Sequence, residues 1–139
     1  MTTTFRALLG ATALCATAGI AAAQDNVTLT IATVNNGDMI RMQGLTSEFT
    51  AANPGITVEW VTLEENILRQ NVTTDIANQG GQYDIMTIGT YEVPIWAKQG
   101  WLVPLDFGAD YAVDDLIPAV RDALSVDGKL YAAPFYAES

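Results

Sequence analysis

Three times between residues 27 and 100, a run of β-branched and apolar residues gives way to residues at helical spacing, and this alternation most constrains the fold. The first strand is VTLTIAT (Val27 to Thr33), followed by Asn35-Asn36-Gly37-Asp38, a turn that can also cap a helix. Met42, Leu45, Phe49 and Ala52 then recur at helical spacing until Asn53-Pro54-Gly55 stops them. The second strand is ITVEWVT (Ile56 to Thr62). Thr62 and Glu65 have the spacing of a capping box, which leads into Ile67, Leu68, Val72 and Ile76 on one helical face and ends at Gly80-Gly81. The third strand spans Tyr83 to Ile88, and its continuous run Ile85-Met86-Thr87-Ile88 suits coverage on both faces. Thr90 can cap a third helix, with Pro94 in its first turn and Gly100 closing it. Strand–helix repeated three times implies a parallel sheet with right-handed crossovers, an α/β architecture.

Beyond residue 100 the order is less regular. Trp101 to Leu105 is short and apolar, Asp114 to Leu124 predicts a helix despite Pro118, and Asp127-Gly128 makes a tight turn into the strand-like stretch Lys129 to Tyr136. The chain stops just after that stretch, at Ser139, so it is expected to be the first portion of a longer chain.

The opening residues point to export. Met1 to Arg6 carry one positive charge, Ala7 to Ile20 are mostly apolar, and Ala21-Ala22-Ala23 supplies a small-residue cleavage site before Gln24. The apolar run is too short to remain as a membrane span. Removing residues 1–23 from 139 leaves an expected mature chain of 116, and with it goes the only cysteine, Cys15. A disulfide scaffold and a thiol nucleophile are thereby excluded. Losing Arg6 leaves five basic against sixteen acidic residues, a net charge of 5 − 16 = −11. That balance repels nucleic acid and anionic lipid. Histidine is absent, which removes the commonest general base and transition-metal ligand. No metal or other cofactor is expected.

In an open parallel sheet, ligands bind beyond the carboxyl ends of the strands. The loops there are Val34 to Asp38, Leu63 to Asn66 and Thr90 to Glu92. They bring amides (Asn35, Asn36, Asn66), carboxylates (Glu64, Glu65, Glu92) and the Tyr91 ring to one rim, with Arg69 one turn past Glu65 and Trp96 deeper. Planar carboxylate, amide and guanidinium groups meet hydroxyls in pairs, and an aromatic ring covers the C–H face of a sugar or polyol. Several members have structural explanations too. Acidic residues in a helix's first turn answer the macrodipole, so Glu65 is assigned to the helix start and Glu64 stays open between the two roles. Asn35 and Asn36 are ordinary turn residues, and Trp60 and Trp101 suit the core. The segment MTIGTYEVPIW (Met86 to Trp96) is different, because a glutamate between aromatics at a strand end is not what a core needs; Tyr91, Glu92 and Trp96 are read as functional. Paired carboxylates could cleave a glycoside, which keeps open an exported carbohydrate-active enzyme using Glu64 or Glu92. Neither glutamate is marked as an acid or a nucleophile, and no Gly-rich phosphate loop follows a strand.

Longer strings carry a resemblance. FTAANPGITV (Phe49 to Val58), GQYDIM (Gly81 to Met86) and YAAPFY (Tyr131 to Tyr136) resemble the amino-terminal portion of extracellular solute-binding proteins of ABC transporters, the group that includes maltose-binding proteins. TLEENILRQNVTTDIA (Thr62 to Ala77), YEVPIWAKQGWL (Tyr91 to Leu102) and PFYAES (Pro134 to Ser139) are similar to its sorbitol/mannitol-binding branch. The resemblance implies a monomeric, non-catalytic periplasmic protein of two lobes that close on a polyol or sugar and then dock on a membrane permease. Residues 24–130 would form part of the first lobe, a mainly parallel sheet flanked by helices, and 131–139 would begin the crossover toward a second lobe absent from this chain. By position it implies ligand contact for Asn35, Asn36, Glu64, Asn66, Arg69, Tyr91, Glu92, Tyr136 and Glu138. Tyr91 would stack on the carbon chain, with Trp96 supporting it from behind, and the carboxylates and Arg69 would hold hydroxyls.

Overall fold

The computed structural model describes residues 26–136. The export segment expected at 1–23 and the candidate contact Glu138 lie outside the described residues.

β1 (Val27–Val34) and β2 (Ile56–Leu63) run parallel, from Val27 opposite Ile56 to Val34 opposite Leu63. β3 (Ile85–Met86) pairs with the other side of β1, giving the order β2-β1-β3. The α/β alternation therefore yields the expected parallel sheet. Side chains of one parity along the strands (Ala32, Val34, Val61, Leu63, Met86) meet α3 (Glu65–Asn78) and α4 (Glu92–Lys98). Leu68, Val72 and Ile76 line one face of α3 and pack there with Tyr83 and Trp96. Of opposite parity, Trp60 faces the other side, where its indole N–H donates to Thr46 Oγ1 at 2.9 Å. Thr46 opens α2 (Thr46–Ala52), so helices flank both faces of the sheet.

Several expected boundaries move, each for a local reason. The first helix divides into α1 (Gly37–Gly44) and α2, with Leu45 between them. Gly44 is a poor helix former, and the Thr46 hydroxyl bonds the Gln43 carbonyl at 2.7 Å, competing with the helical ladder. Its buried residue is Met39, while Leu45 and Phe49 are exposed. The Thr62–Glu65 capping box does not form, because Thr62 and Leu63 are held in the β1–β2 ladder; Glu64 caps α3 instead, accepting from the Asn66 amide. Ile67 falls outside the buried face. α3 stops at Asn78 with Gln79, not a glycine, in the left-handed region. The third strand is two residues long, and Ile85, on the face opposite the core-packed Met86, is 47% exposed, so the strand is not covered on both faces as expected.

α4 starts after Tyr91, without a side-chain cap from Thr90. Gly100, with φ 73°, closes it as expected: the Trp101 amide bonds the Trp96 carbonyl at 2.9 Å and the Gly100 amide bonds that of Ala97 at 3.0 Å. This is a Schellman closure, in which a left-handed glycine lets two amides reach back to the last turn. α5 (Pro118–Ala123) is shorter than expected because Pro118 starts it, at the first-turn position where a missing N–H costs nothing. Asp127 and Gly128, at φ 50° and 75°, turn β4 (Ser125–Val126) into the antiparallel β5 (Lys129–Leu130). Positive φ at both central residues is the two-residue hairpin turn that suits strand twist. The strand-like run ends there, and Tyr131 to Tyr136 have no regular structure. Val93, Leu124 and Leu130 form a second core cluster, joined to the first through Ile88 and Leu102.

Candidate functional site

Parallel pairing places the exits of β1, β2 and β3 on one edge of the sheet. Between the first two exits lies an open recess of about 380 Å³, lined by Val34, Asn35, Asn36, Thr62, Leu63, Glu64 and Glu65. Its floor is tied by the Asn35 amide, which donates to the Leu63 carbonyl at 3.0 Å. Asn36 serves two purposes. Its side-chain oxygen accepts from the Met39 amide at 2.9 Å and caps α1, while its Nδ2 donates to Tyr136 Oη at 2.9 Å. That bond brings residues a hundred positions apart to the same rim. Glu64 Oε2 accepts from the Asn66 amide at 3.0 Å, with Asn66 Nδ2 3.4 Å from the other carboxylate oxygen.

From Glu65 the rim continues toward the third exit. Arg69 Nη2 and Nε lie 2.6 and 3.2 Å from Glu65 Oε1, and Nη1 lies 3.7 Å from Glu92 Oε1. The guanidinium carbon sits 5.0 Å from the Tyr91 ring centroid, a cation–π distance. The Glu65 hydrogen bond, reinforced by the charges of Glu92 and Glu65 and opposed by burial, raises the Arg69 pKa above its ordinary value. Tyr91 keeps 55% of its surface exposed.

Glu92 is only 9% exposed. Its Oε2 accepts from the Gly89 amide at 2.6 Å, and its own amide donates to the Gly89 carbonyl at 3.1 Å. This reciprocal pair braces the turn between β3 and α4, as a glutamate reaching back from a helix's first turn does in a capping box. A Cβ on Gly89 would lie 2.8 Å from Tyr91 Cε1, so glycine lets the ring approach the backbone. That requirement shows in sequence only as a glycine ending the strand. Beneath the turn, Thr87 Oγ1 lies 3.0 Å from the buried Thr33 Oγ1, a part-buried pairing that sequence reasoning did not single out.

Asn35, Asn36, Glu64, Asn66, Arg69, Tyr91, Glu92 and Tyr136 thus lie along the two connected parts of one rim. Trp96 does not: at 5% exposed it packs with Ala32, Leu68, Val72 and Tyr83, because its position on α4 faces the sheet. A second recess of about 270 Å³ opens beyond Tyr136, among Asp38, Arg41, Met42, Leu45 and Phe135.

Residues 36–139 match the family described as bacterial extracellular solute-binding protein. The chain belongs to that family. It is 62% identical over 118 residues to a mannitol-binding protein of Pseudomonas aeruginosa, covering 84% of its own length and 27% of the relative's. The crystal structure of an ABC transporter solute-binding protein from Agrobacterium vitis S4 with bound D-mannitol matches at 72% identity and TM-score 0.77, covering 79% of this chain and 27% of that one. A solute-binding protein from Agrobacterium radiobacter K84 in complex with ribitol shares the fold, at TM-score 0.67 and 24% identity over 81% of this chain and 29% of that one. The chain spans little more than a quarter of the length of these relatives.

Proposed function

We propose that the whole protein is the periplasmic substrate-binding component of an ABC importer for polyols, with mannitol or a close stereoisomer as ligand. The 72% identity to a chain that holds D-mannitol carries this reading. The rim chemistry agrees with it. The exposed Tyr91 ring offers an apolar face to a carbon chain, while Asn35, Asn36, Glu64, Asn66 and Tyr136 supply donors and acceptors for hydroxyls. Arg69 borders the same surface. Glu92 braces the turn that presents Tyr91, and Trp96 supports it from the core. Residues up to 130 form part of a first lobe, with the crossover to a second lobe beginning at 131. Ligand is held between two lobes, because one rim covers one face and small-molecule sites bury most of their ligand, and it is released unchanged. Export with cleavage after Ala23 and delivery to permease subunits complete the role.

Calorimetric titration of mannitol, sorbitol, arabinitol, fructose and glucose into the full-length mature protein tests the assignment. Saturable heat with one or more hexitols, and recovery of the ligand unchanged, are the expected results. No heat with any of the five would overturn it.

A further inference from the structure

We propose that this rim selects uncharged ligands by neutralising its own cationic features, and that Glu65 decides the selection by occupying Arg69. The proposal deepens the polyol assignment and rests on it.

Two features of such a rim ordinarily attract anions: a helix N-terminus, with its unpaired amides and positive dipole end, and an arginine. Here both are answered from within the chain. The 14-residue α3 begins beside the recess, but the Glu64 carboxylate takes the Asn66 amide at 3.0 Å and Glu65 stands in the first turn. At the neighbouring helix start, the Asn36 side chain takes the Met39 amide and Asp38 stands in the first turn. Carboxylates placed there offset the dipole that would otherwise draw a ligand's negative charge.

Arg69 is engaged on three sides. Its Nε and Nη2 converge on one Glu65 oxygen, Nη1 faces Glu92, and the guanidinium lies over Tyr91. The rim groups Glu64, Glu65 and Glu92 against Arg69 sum to a net charge of −3 + 1 = −2, and the recess itself is lined by two carboxylates and no basic residue. A hydroxyl can donate to such carboxylates. A carboxylate or phosphate on the same carbon chain meets this net negative charge instead, and specificity built on a repulsive element is ordinary negative selection. Sugar acids and sugar phosphates are therefore rejected.

The test pairs D-mannitol with D-mannonate, which differ in charge at one end of the same carbon chain, by calorimetry on the full-length protein. Wild type is expected to bind mannonate on the order of 100-fold more weakly than mannitol, since like charges brought together cost several kcal/mol. Glu65→Gln, which removes one charge and releases Arg69, should move the mannonate-to-mannitol affinity ratio at least about tenfold toward the anion. Glu48→Gln on exposed α2 changes net charge equally and should leave the ratio as in wild type. Comparable wild-type affinities for the two compounds would overturn the proposal, as would a ratio that Glu65→Gln does not move or that Glu48→Gln moves equally. If neither compound binds wild type, the polyol assignment has failed. The charge inference then stands or falls on whether Glu65→Gln acquires mannonate binding.

Discussion

The two flanks of β1 are built differently. Toward β2 the backbone does the holding, with a parallel ladder from Val27–Ile56 to Val34–Leu63. Toward β3 only Ile31–Ile85 and Ala32–Met86 pair, extended by the Asp84 and Thr87 amides to the Thr30 and Ala32 carbonyls at 2.9 and 3.0 Å. Side chains supply the rest: Asp84 Oδ2 accepts from the Thr30 amide at 2.8 Å, Thr87 meets Thr33, and Glu92 braces Gly89. The rim inherits this difference. Where the ladder is long, Asn35 and Glu64 stay exposed and available. Where it is short, Glu92 is buried in holding the turn, and Trp96 is drawn into the core beneath it. A short strand transfers work to side chains that would otherwise be free for a ligand.

Substitutions on the two flanks can break or sharpen that contrast. The largest expected effect is at Trp96, where truncation to alanine removes a buried indole and costs about 3–5 kcal/mol. Thermal unfolding of the full-length protein should shift well downward; a variant that melts like wild type yet loses polyol binding would return Trp96 to the rim. Next is Glu92→Leu, which leaves the Gly89 amide without its acceptor at a cost of about 1–3 kcal/mol. Glu92→Gln keeps an acceptor oxygen and should lose less. Equal denaturation midpoints for wild type and Glu92→Leu would show that the turn does not need its brace.

On the β2 flank, Asn36→Ala removes the α1 cap and should cost about 1 kcal/mol. Tyr136→Phe removes only the partner hydroxyl, so urea titration of the pair separates capping from the link across the rim. If Tyr136→Phe destabilises as much as Asn36→Ala, the link outweighs the cap. The smallest expected effect is Arg69→Met: its ion pairs are partly solvated and screened, worth about 0.2–1 kcal/mol in total. A larger drop in melting temperature would mean that Arg69 clamps α3 to α4, and not merely the ring it covers.

Much of this was legible in the chain. The alternation of β-branched runs with helical spacing announced the parallel sheet, and strand polarity then required one shared edge for the exits at Asn35, Glu64 and Tyr91. A capping turn at Asn35 to Asp38, Gly100 as a helix stop and Asp127-Gly128 as a tight turn were readable because each rests on local backbone preference. Other boundaries were not. Thr62 fits a capping box on spacing alone, yet the neighbouring strand keeps it in the sheet. Pro118 reads along the chain as an interruption of a helix that it in fact begins.

What the sequence by itself determined is the class of the fold, the edge on which a site could form and the chemistry collected there, since these follow from periodicity, strand direction and residue type. Only the tertiary structure decided which carboxylate is exposed and which is buried, that Trp96 belongs to the core, and that Arg69 is held between α3 and α4. Those outcomes depend on distances between segments remote along the chain. Glu64 and Glu92 carry the same side chain, and only the packing around each separates a capping carboxylate open to solvent from a buried brace.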